Sequence, residues 1–416
     1  MAVFKPFKAV RPLPEYAGAI ASLPYDVMDS DEARAEVAKN PLSYIHVEKP
    51  EVDLPLGTDL YDPKVYAKAR ENLDSYVKRG MMKQDDKPMF YIYRQVMDGR
   101  PQVGLVGLAS VDEYMDGTIK KHELTRADKE ADRIKHVDVC DAHASPVFFT
   151  YRHQAGIDAI VNKVMDNHAP VYDFVSDDGI GHSLWLMDDP ADIAAIQNAF
   201  AQLRYLYVAD GHHRTASAAK VGLLRREQHP DYTGHEEFNH FMTVIFPDNQ
   251  LKIFDYNRVV KDLHGLSKED FLDRVSVDFD VTAMYVNGPY HPEKTHEIGM
   301  YLSHTWFRIV PRKGTWNASN VVDSLDVSIL QSNLLAPILG IGDPRRDKRI
   351  DFIGGIRGLE ELERRVDSGR DAVAFAMYPT SMDELIGIAD AGEIMPPKST
   401  WFEPKLRSGL FIHPLK

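Results

Sequence analysis

The feature that most constrains this chain is a buried strand that runs directly into a polar turn and then into a helix. Residues 205–209, Tyr-Leu-Tyr-Val-Ala, are apolar enough for a buried strand, and the alanine-rich stretch after residue 214 is typical of a helix packed closely on a sheet. The turn Asp210–Arg214, Asp-Gly-His-His-Arg, lies between them. A strand, a turn and a helix in this order indicate a sheet covered by helices.

Strand and helix patterns continue on both sides of this unit. Residues 89–94 and 102–111 have strand composition, and Asp98-Gly99 between them is a typical hairpin turn. A second hairpin is expected within residues 241–260. Since helical and strand segments alternate without internal repeats, we predict an α/β fold, more specifically an α+β arrangement with a mixed sheet.

The length of 416 residues is enough for two or three domain-sized units. We predict a core in residues 1–240 and a second α/β region in residues 241–416. The last part of the chain contains Trp401, Phe402 and Phe411, which would be costly to leave exposed. We therefore expect the C-terminal segment to pack back on the core.

Charge and composition exclude several classes of protein. With 44% hydrophobic and 27% charged residues the chain is neither disordered nor collagen-like. A net charge of −14 argues against a surface built to grip a nucleic-acid backbone, so any bound anion needs a local basic pocket. The single cysteine, Cys140, suits a reducing compartment. We find neither an export signal nor an apolar run of membrane-spanning length, and expect a soluble cytoplasmic protein.

The turn Asp210–Arg214 is the strongest candidate for chemistry. The first N–H groups of a helix have no partners within the helix, and they carry the positive end of its dipole, so this position attracts anions. Gly211 allows close approach to the backbone, Arg214 can bind two phosphate oxygens at once, and His212 and His213 add donors whose charge can follow that of a phosphate. The alternative is structural: Asp210 caps the helix and the histidines are solvated.

A second candidate is the segment around Glu123, which follows a short strand. A carboxylate beside Lys120, Lys121 and His122 can act as a general base toward a hydroxyl group. Thr125 and the aspartate three residues later match a capping box, which predicts that a charged helix begins directly after this segment. The alternative interpretation is a solvated charged edge, because charges of both signs alternate along that helix.

Two further basic segments lie in the second half. The segment 395–407 contains Lys398, Lys405 and Arg407 against a single acidic residue, which favours an anion contact; a structural strap is the alternative. Lys398-Ser399-Thr400 lacks the glycine-rich loop of a nucleotide-binding P-loop. The cluster Arg345–Arg349 is either a nucleotide contact or a solvated loop.

Five segments together resemble one family. Pro24-Tyr25-Asp26 and the segments 121–125, 209–214, 325–327 and 395–405 are similar to the signature segments of the bacterial and archaeal proteins grouped as domain of unknown function 1015. The resemblance extends over nearly the whole chain. It implies a relation to the ParB and sulfiredoxin superfamily, within which the free-serine kinase pairs a catalytic glutamate with an Asp-Gly-His-His-Arg turn.

The resemblance implies a ParB/sulfiredoxin-like core, in which Glu123 matches the glutamate and Asp210–Arg214 the phosphate turn. It also implies serine or O-phosphoserine as substrate and ADP or ATP as cofactor, with Mg²⁺ as a further candidate. The candidate catalytic residues are Glu123, His122 and Asp210. The candidate phosphate- and nucleotide-binding residues are Gly211, His212, His213, Arg214, Lys398, Ser399, Thr400 and Lys405. The candidate substrate-binding residues are Arg133, Tyr25 and Asp26.

The leading hypothesis is therefore a phosphotransferase that moves a phosphoryl group between a nucleotide and a small hydroxy amino acid. One alternative is a nucleotide-binding regulator or a ParB-like protein associated with nucleic acid, although the net charge of −14 argues against DNA binding. Another is a phosphatase or other hydrolase that uses the same pocket. The expected partners are small molecules, with a homo-oligomer as a further possibility and no membrane.

Overall fold

Residues 2–285 and 287–416 are described by the computed structural model, and they group into two units. The first unit contains the chain up to Leu251 together with Pro404–Lys416, and the second contains Lys252–Glu403. Each unit has its own sheet and its own helices. The predicted mixed α/β class is confirmed.

The helices of the first unit are α1 (Pro14–Ile20), α2 (Ser30–Lys39), α3 (Ile45–Glu48), α4 (Pro63–Lys78), α5 (Val111–Asp116), α6 (Ala127–Cys140), α7 (Ala155–Asn167), α8 (Pro190–Phe200) and α9 (His212–Gln228). Its strands are β1 (Phe4–Lys5), β2 (Val10–Pro12), β3 (Met82–Gln84), β4 (Phe90–Met97), β5 (Arg100–Ser110), β6 (Ile119–Lys120), β7 (Ala142–His143), β8 (Val147–Tyr151), β9 (Tyr172–Val175), β10 (Gly181–Met187), β11 (Leu206–Asp210) and β12 (His240–Pro247).

The large sheet of the first unit is mixed. Its strand order is β6-β11-β8-β12-β5-β4-β10-β9, and β1 pairs with β5. The pairs β6/β11 and β8/β12 are parallel, whereas β8/β11 and the pairs that join β12, β5, β4, β10 and β9 are antiparallel. Short strands β2 and β3 pair outside this sheet.

The hairpin predicted around Asp98-Gly99 is confirmed. Strands β4 and β5 pair from Met97 opposite Arg100 down to Tyr91 opposite Val106. Asp98 and Gly99 have φ angles of 50° and 74°. Positive φ at both central residues is the geometry of the two-residue turn whose twist suits a hairpin.

The hairpin predicted within residues 241–260 is wrong. Strand β12 lies between β5 and β8 in the sheet of the first unit, with Val244 opposite Val106 and beside Phe148. Every residue of β12 is buried. A mostly apolar run fits a strand covered on both faces, and such a run does not show which neighbour it pairs with. Residue 240, our predicted domain limit, is the first residue of this strand.

The core of the first unit packs against this sheet. Phe4 stacks on Phe90 and on Phe200, with ring centroids 4.9 Å and 4.5 Å apart. Phe149 packs edge-on against Phe241 at 5.8 Å. These rings lie in a cluster of fully buried apolar side chains from strands and from α7, α8 and α9. The burial of this apolar surface holds the strands that carry the polar turn in place.

The C-terminal segment belongs to the first unit. Strand β21 (His413–Pro414) pairs with β7, and Ile412 and Ser408 form isolated bridges to Val10 and Ser22. Phe411 is fully buried.

The elements of the second unit are β13 (Ile253–Phe254), β14 (Tyr256–Val260), α10 (Lys268–Asp278), β15 (Phe279–Met284), β16 (Ile298–Leu302), β17 (Thr305–Pro311), α11 (Asp326–Leu330) with a π-helical turn at Gln331–Leu335, β18 (Ile350–Gly354), α12 (Glu360–Asp367), β19 (Val373–Ala376), α13 (Met382–Asp390) and β20 (Trp401–Phe402). Its main sheet is antiparallel, in the order β15-β17-β16-β19-β14-β18.

Within the described ranges of the chain, no helix is both long and apolar enough to span a membrane.

Candidate functional site

The two candidate segments of the first unit meet at one edge of its sheet. Strand β6 lies parallel to β11, with Ile119 beside Leu206 and Lys120 beside Tyr207. Because the strands are parallel, the residues that follow them leave the sheet at the same edge, which is where α/β proteins commonly bind ligands. This pairing brings Glu123 to the turn Asp210–Arg214, although the two are far apart in the sequence.

A β-bulge changes the direction of the chain at the end of β11. Val208 pairs with Phe149, and Asp210 pairs with Phe148, the adjacent residue on the antiparallel strand β8. Ala209 is therefore an extra residue on β11. Bulges redirect side chains and are common beside active sites. Nothing in the sequence indicated this bulge.

The turn itself is formed by Gly211, whose φ of +81° lies in the left-handed region. Helix α9 begins at His212, and the amide of Thr215 donates to the carbonyl of Gly211 at 2.9 Å. The amides of His212, His213 and Arg214 precede this first bond of the helix. They therefore form the positive end of α9, as the sequence predicted.

Asp210 does not cap α9, because Gly211 occupies the N-cap position and Asp210 lies one residue earlier. One carboxylate oxygen of Asp210 accepts the Gly211 amide at 2.7 Å, and the other pairs with Lys405 Nζ at 2.9 Å. Burial opposes ionisation of Asp210, but Lys405 and Arg214 hold its pKa well below the usual range. Asp210 thus remains a carboxylate and holds Lys405 beside the turn.

Glu123 approaches the turn through His212. The distance from Glu123 Oε2 to His212 Nδ1 is 4.0 Å, and the Glu123 side chain is 39% exposed. The rings of His122 and His212 pack edge-to-face with centroids 4.4 Å apart. The distance of 4.0 Å between Glu123 and His212 is too long for a hydrogen bond, so the two side chains are close neighbours without being bonded.

Both of these histidines are uncharged at neutral pH. Burial lowers the pKa of His122 to about 4, and burial together with His122 lowers the pKa of His212 far below its usual value. The expectation that the charge of His212 follows that of a bound phosphate is therefore wrong. A neutral imidazole can still donate one hydrogen bond.

His213 is held by the segment before α6. The backbone amide of Arg126 donates to His213 Nε2 at 3.0 Å, so a neutral His213 carries its proton on Nδ1. Burial also lowers the pKa of His213. The predicted capping box is wrong, because Arg126 is the N-cap of α6 and the Thr125 hydroxyl donates to Glu130 at 2.7 Å.

Arg214 is almost fully buried, with 9% of its side chain exposed. Its guanidinium donates to the carbonyl of Pro146 at 2.8 Å, lies 3.8 Å from Asp26, and packs on the Cα of Gly211. Its Nε has no hydrogen-bond partner among the described residues. Arg214 therefore supplies a fixed positive charge directly at the turn.

The three candidate substrate-binding residues lie around this guanidinium. Arg133 stacks on the ring of Tyr25 at 4.1 Å and pairs with Asp132 at 2.7 Å. Asp26 is 40% exposed and borders Arg214. Arg133 is thus already held on two sides, whereas Asp26 reaches solvent. Their role toward a substrate stays a prediction.

A cavity of about 30 Å³ lies behind the turn, between α6, α9 and β12. It has room for about one water molecule. Its polar lining comes from Arg133, His136, His143, Ser145 and Arg214. A substrate of amino-acid size does not fit there, so it would approach from the exposed side, where Glu123 and Asp26 lie.

Lys398, Ser399 and Thr400 lie in the second unit. Ser399 is buried, and its hydroxyl donates to the carbonyl of Pro396 at 2.6 Å. Lys398 has a φ of +60°, and its carbonyl accepts from Arg258 at 2.9 Å. The hydroxyl of Ser399 is used inside this turn. The predicted nucleotide contact of the three residues stays a prediction.

Within residues 2–285 and 287–416, no group of three or more histidine, cysteine or acidic side chains could hold a metal ion. A Mg²⁺ ion that acts with a nucleotide is usually held by the phosphates and one or two carboxylates, which needs no such group. Here Asp26, Glu123 and Asp210 are partly exposed carboxylates at or near the turn, and Asp210 already pairs with Lys405.

Sequence reasoning missed the supports of the site. The carbonyl of Pro146, the amide of Arg126 and the side chain of Asp132 hold Arg214, His213 and Arg133. Two of these are backbone groups, which every residue carries, so no sequence signal could have found them.

The sequence matches the family described as "Protein of unknown function (DUF1015)" over residues 4–328. A search of curated proteins found no match.

Solved structures gave weak similarities. A conserved hypothetical protein from Pyrococcus furiosus is 14% identical, with a TM-score of 0.36 over 73% of this chain and 93% of that one. A free serine kinase in complex with AMP is 14% identical, with a TM-score of 0.36 over 73% and 90%. A C-terminally truncated SbnI from Staphylococcus aureus is 13% identical, with a TM-score of 0.32 over 73% and 85%. These similarities are too weak to support a function.

Proposed function

The chain belongs to this family of proteins of unknown function, and we propose, from the residues of its own site, that it is a phosphotransferase. The reaction moves a phosphoryl group between a nucleotide, ADP or ATP, and a small hydroxy amino acid, serine or O-phosphoserine. The observation that carries the proposal is the approach of Glu123 to within 4.0 Å of His212 at the start of α9. The candidate base, Glu123, and the candidate phosphate-binding turn, Asp210–Arg214, thereby lie at the same edge of the sheet.

In this proposal Glu123 is the general base. Its carboxylate accepts the proton of the substrate hydroxyl as that oxygen forms a bond to phosphorus and the bond from phosphorus to the nucleotide oxygen breaks. In the reverse direction Glu123 returns the proton. The carboxylate of Glu123, three residues after β6 and 39% exposed, is accessible to a small substrate without movement of the buried residues of the turn.

The turn holds the transferred phosphoryl group. The amides of His212, His213 and Arg214 are aligned at the positive end of α9, and Gly211 has no side chain to block approach. Arg214 and Lys405 are the cations beside these amides. Because His122 and His212 are neutral, the positive charge that offsets the phosphoryl oxygens comes from these cations and from the helix dipole.

The substrate class is tested by incubating the protein with ATP or ADP, Mg²⁺ and either serine or O-phosphoserine, and by following the products by phosphorus NMR. Transfer between nucleotide and amino acid supports the proposal. Release of inorganic phosphate alone would instead indicate a hydrolase that uses the same site. Nucleotide binding without any turnover would favour a regulator.

The role of Glu123 is tested by Glu123→Gln, which keeps the size of the side chain but cannot accept the proton. We expect turnover to fall by about 10²- to 10⁴-fold while nucleotide affinity stays nearly unchanged. The control is Glu227→Gln, at an exposed position of α9, which should leave turnover within about twofold. Equal turnover in the two variants would remove Glu123 from the reaction.

A further inference from the structure

The second unit contains a cavity of its own, with a volume of about 320 Å³. Cavities that bind small molecules start at about 300 Å³, so this one has the size for a ligand with roughly the bulk of a mononucleotide. Its walls include the π-helical turn Gln331–Leu335, the loop Gly342–Arg345 and the pair Pro396-Pro397. Single residues of β14, α11 and β18 complete the lining: Arg258, Val327, Ile350 and Phe352. A π-helical turn is rare and often occurs at a functional site.

A buried arginine lines this cavity without a counter-charge. Arg258 is 3% exposed, and its guanidinium donates to the backbone carbonyls of Tyr256 and Lys398. Among the described residues no carboxylate lies within 4.0 Å of it. Burial lowers the pKa of Arg258 to about 10, so it remains charged at neutral pH. A buried charge without a partner is costly, and an anion in the cavity would relieve that cost.

The rest of the lining suits a phosphate ester with a flat apolar part. Arg345 is a second guanidinium at the cavity, held by Asp343 at 3.0 Å. Two guanidinium groups against one carboxylate leave the lining positive. Phe352, Pro396 and Pro397 provide apolar faces, and the guanidinium of Arg258 lies over the Phe352 ring at 5.5 Å from its centroid. A guanidinium binds two phosphate oxygens at once, and flat apolar faces suit a base or another ring.

We propose that the second unit binds a small phosphate monoester in this cavity, with the phosphate on Arg258 and Arg345 and an apolar ring against Phe352 and the two prolines. This site is separate from the phosphoryl transfer proposed above, because none of its residues belongs to the turn at α9. The experiments that test it therefore measure ligand binding and the position of a photolabel, and they do not measure turnover.

The first experiment is calorimetric titration of the full chain with AMP, with adenosine and inorganic phosphate as partial ligands and benzoate as a carboxylate with a ring. Arg345→Ala should weaken AMP binding by about tenfold or more. The matched control is Arg346→Ala, since Arg346 borders the same Asp343 but is 88% exposed and does not line the cavity. Equal effects of the two variants, adenosine binding as tightly as AMP, benzoate binding more tightly than AMP, or no AMP binding would each overturn the proposal.

The second experiment locates the site. Photolabelling with 8-azido-AMP, followed by peptide mass spectrometry, should mark residues 327–352 or 395–400 in the wild type and in Glu123→Gln alike. Arg258→Lys keeps the charge but loses the two-pronged contact, and it should reduce this label while circular dichroism remains unchanged. Label confined to residues 205–228 would place AMP only at the α9 turn and would contradict a site in the second unit. The phosphotransferase proposal would be unaffected by that result.

Discussion

At the scale of single residues, the site depends on one arginine whose position is set by one glycine. A Cβ at Gly211 would lie 3.2 to 3.3 Å from the guanidinium of Arg214, and the φ of Gly211 is +81°. Arg214 in turn donates to Pro146 and lies near Asp26. The charge that we propose faces a phosphate is therefore held by packing as well as by hydrogen bonds.

Gly211→Ala should reduce stability by about 1 to 2 kcal/mol because of its backbone conformation, and it should also weaken phosphate binding because Arg214 is displaced. The measurements are urea unfolding and titration with phosphate. Gly179→Ala is the control, since Gly179 has a φ of +79° and an added Cβ there meets nothing within 4 Å. It should cost a similar amount of stability and leave phosphate affinity unchanged. A loss of affinity in both variants would contradict the role of Gly211 in placing Arg214.

At the scale of elements, contacts with the neighbouring helices and loops of the first unit hold α9 in position. The Ser217 hydroxyl is within hydrogen-bonding distance of the backbone carbonyls of His213 and Glu130, and Lys220 pairs with the Glu130 side chain, so that α9 is tied to α6. On another side α9 approaches α5 and the backbone near Phe238 so closely that Gly222 leaves no room for a methyl group. These contacts fix the direction in which the positive end of α9 points.

Gly222→Ala tests whether this close packing fixes the position of α9. A Cβ at Gly222 would lie 2.6 Å from the carbonyl oxygen of Phe238 and 2.9 Å from Val111, so α9 must shift. We expect a loss of about 1 to 3 kcal/mol in the free energy of unfolding, and a decrease in turnover. Gly156→Ala in α7, where the added methyl group meets nothing within 4 Å, should instead be neutral or slightly stabilising. If the two variants changed the free energy of unfolding by similar amounts, α9 would tolerate a small shift, and the proposed role of Gly222 would be contradicted.

At the scale of the whole molecule, the first unit buries histidines in their neutral form. Burial lowers the pKa of His122 to about 4, of His182 to about 3 and of His240 to about 4. The unfolded chain, in which histidines titrate near their ordinary value of about 6.5, binds more protons below that pH. Stability contributed by these groups is therefore complete above about pH 7, and it is lost progressively as the pH falls through 6.5 toward 4.

We expect urea unfolding of the first unit to show a stability loss of at least roughly 2 kcal/mol between pH 7.5 and 5.5. Each of the three histidines contributes a loss of roughly 1.3 kcal/mol over this interval, so that together they lose roughly 4 kcal/mol, of which Glu113 offsets roughly 2 kcal/mol. The lowered pKa values of His212 and His213 add to the loss. Glu113 acts in the opposite direction, because burial raises its pKa to about 7, and the folded state then takes up the extra proton as the pH falls. Glu113→Gln should therefore enlarge the acid-induced loss. A stability that is constant or rises toward pH 5.5 would contradict this account.

Much of the local structure was readable from the sequence because it depends on neighbours along the chain. The hairpin at Asp98-Gly99 follows from two residues that tolerate positive φ. The order of strand, turn and helix around Asp210–Arg214 follows from an apolar run, a glycine and an alanine-rich stretch. The predicted anion site at the start of α9 needed only this local order.

Pairings and surroundings could not be read in the same way. The fully buried β12 carries no sign of its partners, and only the sheet shows that it lies between β5 and β8. The protonation of His122 and His212 depends on burial by residues distant in the sequence, which lowers their pKa values and removes the charge that the sequence suggested.

The sequence by itself thus determined the elements and the chemical types of the candidate residues, since these depend on short-range conformational preferences and on side-chain identity. Only the tertiary structure decided which of these residues meet. The parallel pairing of β6 with β11 brings Glu123 to His212, and the return of the C-terminal segment brings Lys405 to Asp210. The physical reason is that contacts between distant residues follow from how whole strands and helices bury their apolar faces, which no local pattern records.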